Sequence, residues 1–164
     1  MPIRDTCLAA NERYASAFDK GDMPSVPAKQ AAVVTCMDAR LMPDQFLGLN
    51  MGDAHFIRNA GGIVTDDVLR SLIISHNLLG TNEFFVINHT GCGMTLVEDE
   101  QLRRRLKQET GQDTAGMDFY AFKDPDANVR AQVERIKANP FISVGASVHG
   151  LVYQVEDGRL RQVV

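Results

Sequence analysis

This 164-residue chain has no tryptophan, only three cysteines, and no apolar run approaching the ~18 residues of a membrane span. So small and odd a cysteine count argues against a disulfide framework and fits a reducing compartment. Basic residues do not dominate. Seventeen Lys and Arg against 21 Asp and Glu leave a net charge of −4, which argues against a nucleic-acid partner, because phosphate neutralisation needs a basic surface. Internal repeats and low-complexity segments are absent. Near the N-terminus, Arg13, Asp19 and Lys20 interrupt any secretory signal, and Leu8-Ala9-Ala10 is too short for its apolar core. The expectation is a cytoplasmic protein with no membrane partner.

What is present suits an ordinary globular protein: 45% hydrophobic and 23% charged residues. The length predicts one domain over residues 1–164, with 1–28 as an N-terminal helix and linker. That helix is expected over 5–20, with Leu8, Ala9, Tyr14, Ala15 and Phe18 as a loose apolar stripe. Gly21 and the 24–27 segment, bounded by prolines, end it and set it apart from the rest, so that it can pack on a neighbouring subunit.

Strands are predicted at 31–36, 54–58 and 83–88, with helices between them. Pro43 opens one helix, with Phe46, Leu47 and Leu49 inward. Thr65 or Asp66 caps the next, whose stripe is Val68, Leu69, Leu72, Ile73 and Leu79, and Gly80 ends it. Further helices are expected over 98–109 and 127–138, the last stopped by Asn139-Pro140. Arg103-Arg104-Arg105 and Lys107 lie among Glu98, Asp99, Glu100 and Glu109 and read as a solvated helix face. In the tail, Leu151, Tyr153 and Val155 share one strand face, and Asp157-Gly158 turns into a terminal strand or hairpin over 159–164. The pattern is an α/β fold: a mostly parallel central sheet flanked by helices.

Two fragments carry chemistry. Cys36-Met37-Asp38-Ala39-Arg40 follows the apolar run Ala31-Ala32-Val33-Val34-Thr35, and His89-Thr90-Gly91-Cys92 follows Phe84-Phe85-Val86-Ile87. Neither fragment is specific alone. In an open parallel sheet, however, the carboxyl ends of neighbouring strands meet in one crevice, which is where ligands bind. Cys36, His89 and Cys92 would converge there as a soft donor set suited to zinc, with a fourth position left for water or substrate. The bland alternatives are a buried hydrophobic Cys36 and a His89 satisfied by backbone, and both would have to hold together. A phosphatase-like loop is excluded, because it needs arginine six positions after the cysteine and Met42 stands there.

Cys7 is expected to pack rather than bind metal, and His55, His76 and His149 to be structural or solvent-facing. Asp38 and Arg40 can point to the same side and form a charge-assisted pair that keeps the aspartate ionised. Held by Arg40, Asp38 can accept a hydrogen bond from water on the metal. Released, it can become a fourth metal ligand.

With these residues placed, the chain resembles the β-class carbonic anhydrases over nearly its whole length. The matching landmarks are Cys36-x-Asp38-x-Arg40, Arg58-Asn59-Ala60-Gly61-Gly62 and His89-x-x-Cys92-Gly93-Met94, then Gly150-Leu151-Val152-Tyr153 with Asp157-Gly158. The resemblance implies one zinc per subunit on Cys36, His89 and Cys92, and Asp38 with Arg40 as the catalytic dyad. It also implies a homodimer or dimer of dimers in which the N-terminal helix embraces the partner. The activity implied is reversible hydration of carbon dioxide to bicarbonate by a metal-bound hydroxide.

The chain is similar to a compact subgroup of that family. Without tryptophan it cannot complete the bicarbonate inhibitory site of some bacterial members, and Gln30 is the only nearby candidate for the substrate-orienting glutamine of plant-like ones. Carbonyl sulfide hydrolases and carbon disulfide hydrolases resemble the same family and keep its zinc ligands. Release of hydrogen sulfide is therefore the alternative activity, and a zinc-stabilised binding module the non-enzymatic one.

Charge arithmetic gives a first prediction. Two thiolates balance the double charge of zinc, whereas three-histidine carbonic anhydrases, whose bound water has a pKa of about 7, leave it uncompensated. Water at a bis-thiolate centre is acidified less, so activity should rise on the alkaline side of neutrality. A pH–rate profile already flat at pH 6 would contradict this.

Overall fold

The computed structural model describes residues 2–164. One five-stranded sheet has the order β2-β1-β3-β4-β5, with β1 at Ala31–Cys36, β2 at Ala54–Asn59, β3 at Glu83–His89, β4 at Ser147–Tyr153 and β5 at Leu160–Gln162. The first four strands run parallel, and β5 returns antiparallel beside β4. The helices are α1 Ile3–Ser16, α2 Pro43–Leu47, α3 Asp66–Leu79, α4 Asp99–Thr110 and α5 Pro125–Lys137, with a single 3₁₀ turn over Gly93–Thr95. This is the mostly parallel α/β fold the sequence predicts.

Central β1 is buried along its whole length, as a strand covered on both faces must be, which is why it reads as a continuous apolar run. The start of α3 is set by Thr65, whose hydroxyl accepts the Val68 N–H, and by Asp66 and Asp67 in its first turn. Gly80 closes it at φ 73°, a left-handed residue that glycine adopts without cost. Asp124 caps α5, with Pro125 in its first turn. Both helices bury one stripe on the same sheet face. Val68, Leu72, Val129, Val133 and Ile136 meet Ala32, Val34, Phe84, Val86, Val148 and Val152. Each fully buried Val, Leu, Ile or Phe among them contributes roughly 1.5–3 kcal/mol. A smaller cluster sits at the carboxyl end of the sheet, where Leu41, Phe46 and Tyr153 pack around Cys36 and Cys92.

Several expectations are corrected. The first helix ends at Ser16 rather than at residue 20, so Phe18 lies outside it and folds back onto Tyr14 at 5.4 Å between ring centroids. The apolar stripe of α1, expected to pack on a neighbouring subunit, is not buried in this chain. Cys7 is exposed and therefore packs into no core here. In the tail, β4 begins at Ser147 and ends before Val155, and its inward face is Val148, Gly150 and Val152. Gly150 hid that alternation. A Cβ at this position would overlap Val129 and Val164, so the close approach of α5 and the chain end leaves room for glycine alone.

Other expectations hold. The basic run of α4 is a solvated face paired with acids, Arg103 with Glu100 and Arg105 with Glu109. The three remaining histidines are structural. His55 bonds Ser75 Oγ at 2.7 Å, His76 Nδ1 donates to the Thr81 carbonyl at 2.6 Å, and His149 meets Glu83 at 2.6 Å.

Candidate metal centre

Strands β1 and β3 are neighbours, with Thr35 paired to Ile87, so Cys36 and His89 leave the sheet at the same edge. The chain then turns through Thr90 and Gly91, the latter at φ 59°. This turn is pinned to the β4 side: Thr90 N–H donates to Tyr153 C=O at 3.0 Å, and Thr90 Oγ1 accepts Val155 N–H at 3.0 Å. Cys92 is thereby brought back over the strand ends. The ligand atoms of Cys36, His89 and Cys92 lie within 4.8 Å of one another, and all three residues are buried. The two sulfurs are 4.0 Å apart.

The donor set fits a metal ion on its own chemistry. His89 Nδ1 lies 2.8 Å from the Thr90 carbonyl, which can only accept, so Nδ1 carries the proton and Nε2 presents a lone pair. That Nε2 is buried with no hydrogen-bond partner, an arrangement costing about 1–3 kcal/mol unless something electrophilic meets it.

The sulfurs give the same answer. A hydrogen bond from Cys92, opposed by burial and reinforced by His89 and the Asp38 and Gly61 N–H groups, holds Cys36 down at about 4. The resulting thiolate, together with burial, pushes Cys92 far above the ordinary thiol range. Burial pulls His89 down, but the neighbouring Cys36 sulfur and the Thr90 carbonyl carry it above its usual value. Without a cation, then, the pair rests as one thiolate and one thiol. A divalent ion lets both ionise and receives the orphan nitrogen. Two sulfurs and one imidazole form a borderline-soft set that suits zinc and leaves a coordination position open.

Asp38 lies at the rim of this cluster, its Oδ2 3.8 Å from His89 Nε2. Arg40 grips the carboxylate through Nε to Oδ1 at 2.9 Å, Nη2 to Oδ2 at 2.7 Å and its backbone N–H to Oδ1 at 3.0 Å. Those bonds hold Asp38 well below the usual carboxylate range. Arg40 also donates to the Gly91 carbonyl at 3.0 Å, tying the β1 loop to the β3 loop. Met37, Ala60, Met94 and Val97 give the adjoining cleft an apolar wall.

Arg58 has a role in this site that its place in the sequence does not by itself reveal. It stands beside Thr35 at the end of β2 and donates to the carbonyls of Cys36 at 3.0 Å and Asp38 at 2.8 Å. It thus fixes the backbone that presents both side chains. An arginine at the end of the strand next to Cys36 was the available signal. Gly61 N–H reaches Cys36 Sγ at 3.4 Å, a close approach of backbone to the sulfur. Gln30 precedes β1 and so lies at the far end of the strand from Cys36; it does not line the centre of its own chain.

A parallel α/β sheet with a Cys-His-Cys centre at its carboxyl edge and an Asp-Arg pair beside it defines a class of zinc enzyme. The carbonic anhydrase family model matches residues 31–160. Beta-carbonic anhydrase 1 of Mycobacterium tuberculosis is 46% identical over 166 residues, covering 99% of each chain. A carbon disulfide hydrolase of Acidithiobacillus thiooxidans is 34% identical over 148 residues, 79% of this chain and 74% of that one. Among solved structures, carbonic anhydrase from Streptococcus mutans superposes with a TM-score of 0.95 at 40% identity, covering 100% of this chain and 99% of that one. The chain belongs to the β-carbonic anhydrase family, whose cofactor is zinc.

Proposed function

We propose that this chain catalyses the reversible hydration of carbon dioxide to bicarbonate, with Cys36, His89 and Cys92 holding zinc and Asp38 with Arg40 as the catalytic dyad. The observation that carries this reading is the buried, unpartnered His89 Nε2 facing two sulfurs, with an ionised carboxylate 3.8 Å away. Bound zinc would supply Lewis acidity, which eases loss of a proton from water.

The chain's own residues do the rest. Arg40 keeps Asp38 ionised, so the carboxylate accepts a hydrogen bond from the reacting water and orients it. The same grip makes Asp38 too weak a base to keep the proton, which must pass on to solvent or buffer. Should Arg40 let go, the carboxylate is near enough to close the centre as a fourth ligand. The apolar wall of Met37, Met94 and Val97 suits a small, linear, uncharged substrate.

The carbon disulfide hydrolases among the relatives favour one alternative, hydrolysis of carbon disulfide or carbonyl sulfide at the same centre with release of hydrogen sulfide. Purified zinc-loaded protein assayed side by side against carbon dioxide, carbonyl sulfide and carbon disulfide decides between them. Carbon dioxide hydration should dominate, and sulfide release without hydration would overturn the reading. Asp38→Ala should keep its metal and lose turnover by on the order of a hundredfold. Normal turnover in that variant would remove the dyad.

We further infer that residues 1–164 form one domain that assembles as a homodimer or dimer of dimers. What supports this is α1. An isolated 14-residue helix is marginal in water, and this one leaves Leu8 and Tyr14 exposed for a partner to cover. The three cysteines are unpaired, which supports a cytoplasmic setting, and no described helix is long and apolar enough to cross a membrane. Sedimentation should give at least a dimer mass; a monomer at micromolar concentration would contradict the assembly.

A further inference from the structure

Behind the centre, three side-chain amides form an unbroken line between α5 and the turn after β2. Val64 N–H donates to Gln132 Oε1 at 2.9 Å, and Gln132 Nε2 to Asn128 Oδ1 at 3.0 Å. Asn128 Nδ2 then donates to Asn88 Oδ1 at 2.6 Å, and Asn88 Nδ2 to the Gly61 carbonyl at 3.0 Å. Each end of the line is a backbone group with a single role: an amide N–H can only donate and a carbonyl can only accept. The orientation of all three amides is therefore dictated.

Both ends belong to one turn, residues 61–64. Its Gly61 is gripped at the carbonyl by Asn88 while its N–H reaches Cys36 Sγ at 3.4 Å. Next to it, Gly62 sits at φ 63° so close to the strand that a Cβ would come within 3.1 Å of Cys36 N. Asn88 itself is 1% exposed and immediately precedes the ligand His89, its side chain leaving the opposite face of β3. An amide at such a depth must be fully bonded to be tolerated.

We propose that Asn88, Asn128 and Gln132 are positioning residues that aim Gly61 N–H at the Cys36 sulfur and so set how tightly the centre holds its metal. The inference rests on the three-ligand reading of the site. Hydrogen bonds to ligand atoms from outside the coordination sphere typically govern metal affinity by 10–100-fold. The line is also directional, which makes it testable at a distance. In Gln132→Glu the carboxylate still accepts from Val64 but cannot donate to Asn128. The Asn128 amide must then turn over, Asn88 must follow, and an oxygen is left facing the Gly61 carbonyl. Gln132→Leu removes the end of the line without reversing it.

The test is zinc affinity by chelator competition at pH 8, together with the thiolate-to-cobalt charge-transfer band of the cobalt-loaded protein. Asn88→Leu and Gln132→Glu should each weaken zinc binding by roughly 10–100-fold and shift the band, with a distinctly smaller change in both for Gln132→Leu, which slackens the line without reversing it. If Asn88→Leu does not fold, Gln132→Glu carries the test alone. Affinity and band unchanged in Gln132→Glu, or equal losses in Gln132→Glu and Gln132→Leu, would overturn the inference. A parent chain that bound no metal at all would instead end the reading of the centre on which it rests.

Discussion

Two sulfurs 4.0 Å apart in a buried pocket are the constraint on which the rest of this structure turns. At that separation two full negative charges repel by about 4 kcal/mol at an effective dielectric near 20, so Cys36 and Cys92 cannot both be ionised unless a cation lies between them. His89 adds an aromatic nitrogen with its lone pair bare and nothing to bond. Each feature alone would be a defect in a folded core. Together they are complementary to one soft divalent ion, and the most deeply buried strands of the fold keep them together.

Those elements are the two central parallel strands. Register between β1 and β3 brings Cys36 and His89 to one edge, and the turn bonded to β4 returns Cys92 to them. Arginines then work at the surface of this rigid frame. Arg58 clamps the backbone on either side of Met37, and Arg40 joins Asp38 to the Gly91 carbonyl. The ligands thus sit on strand ends and a pinned turn, while Arg40 holds the Asp38 carboxylate at the cleft.

Much of this was legible in the amino-acid sequence because burial leaves a strong trace in it. The uninterrupted apolar run of β1 announces a strand covered on both faces, and the polar ligands directly after it and β3 stand out by contrast. Thr65 and Gly80 likewise mark the ends of α3 through the backbone groups they satisfy. What escaped was set by tertiary packing. Gly150 occupies an inward position where a strand pattern expects a large apolar residue, because Val129 and Val164 already fill the space, and so the first half of β4 went unread. The roles of Arg58 and of the Asn88–Asn128–Gln132 line depend on contacts between distant segments, with 40 residues separating Asn88 from Asn128, and no local periodicity encodes them. Cys7 reads as a packing position, but nothing local says that this chain leaves it exposed.

X-ray absorption at the zinc edge of the metal-loaded chain tests the central claim most directly, because it counts the atoms around the ion by element and distance. The account predicts two sulfurs at about 2.3 Å, one imidazole nitrogen at about 2.0–2.1 Å and one further light atom. A first coordination sphere with no sulfur, or with four, would contradict it.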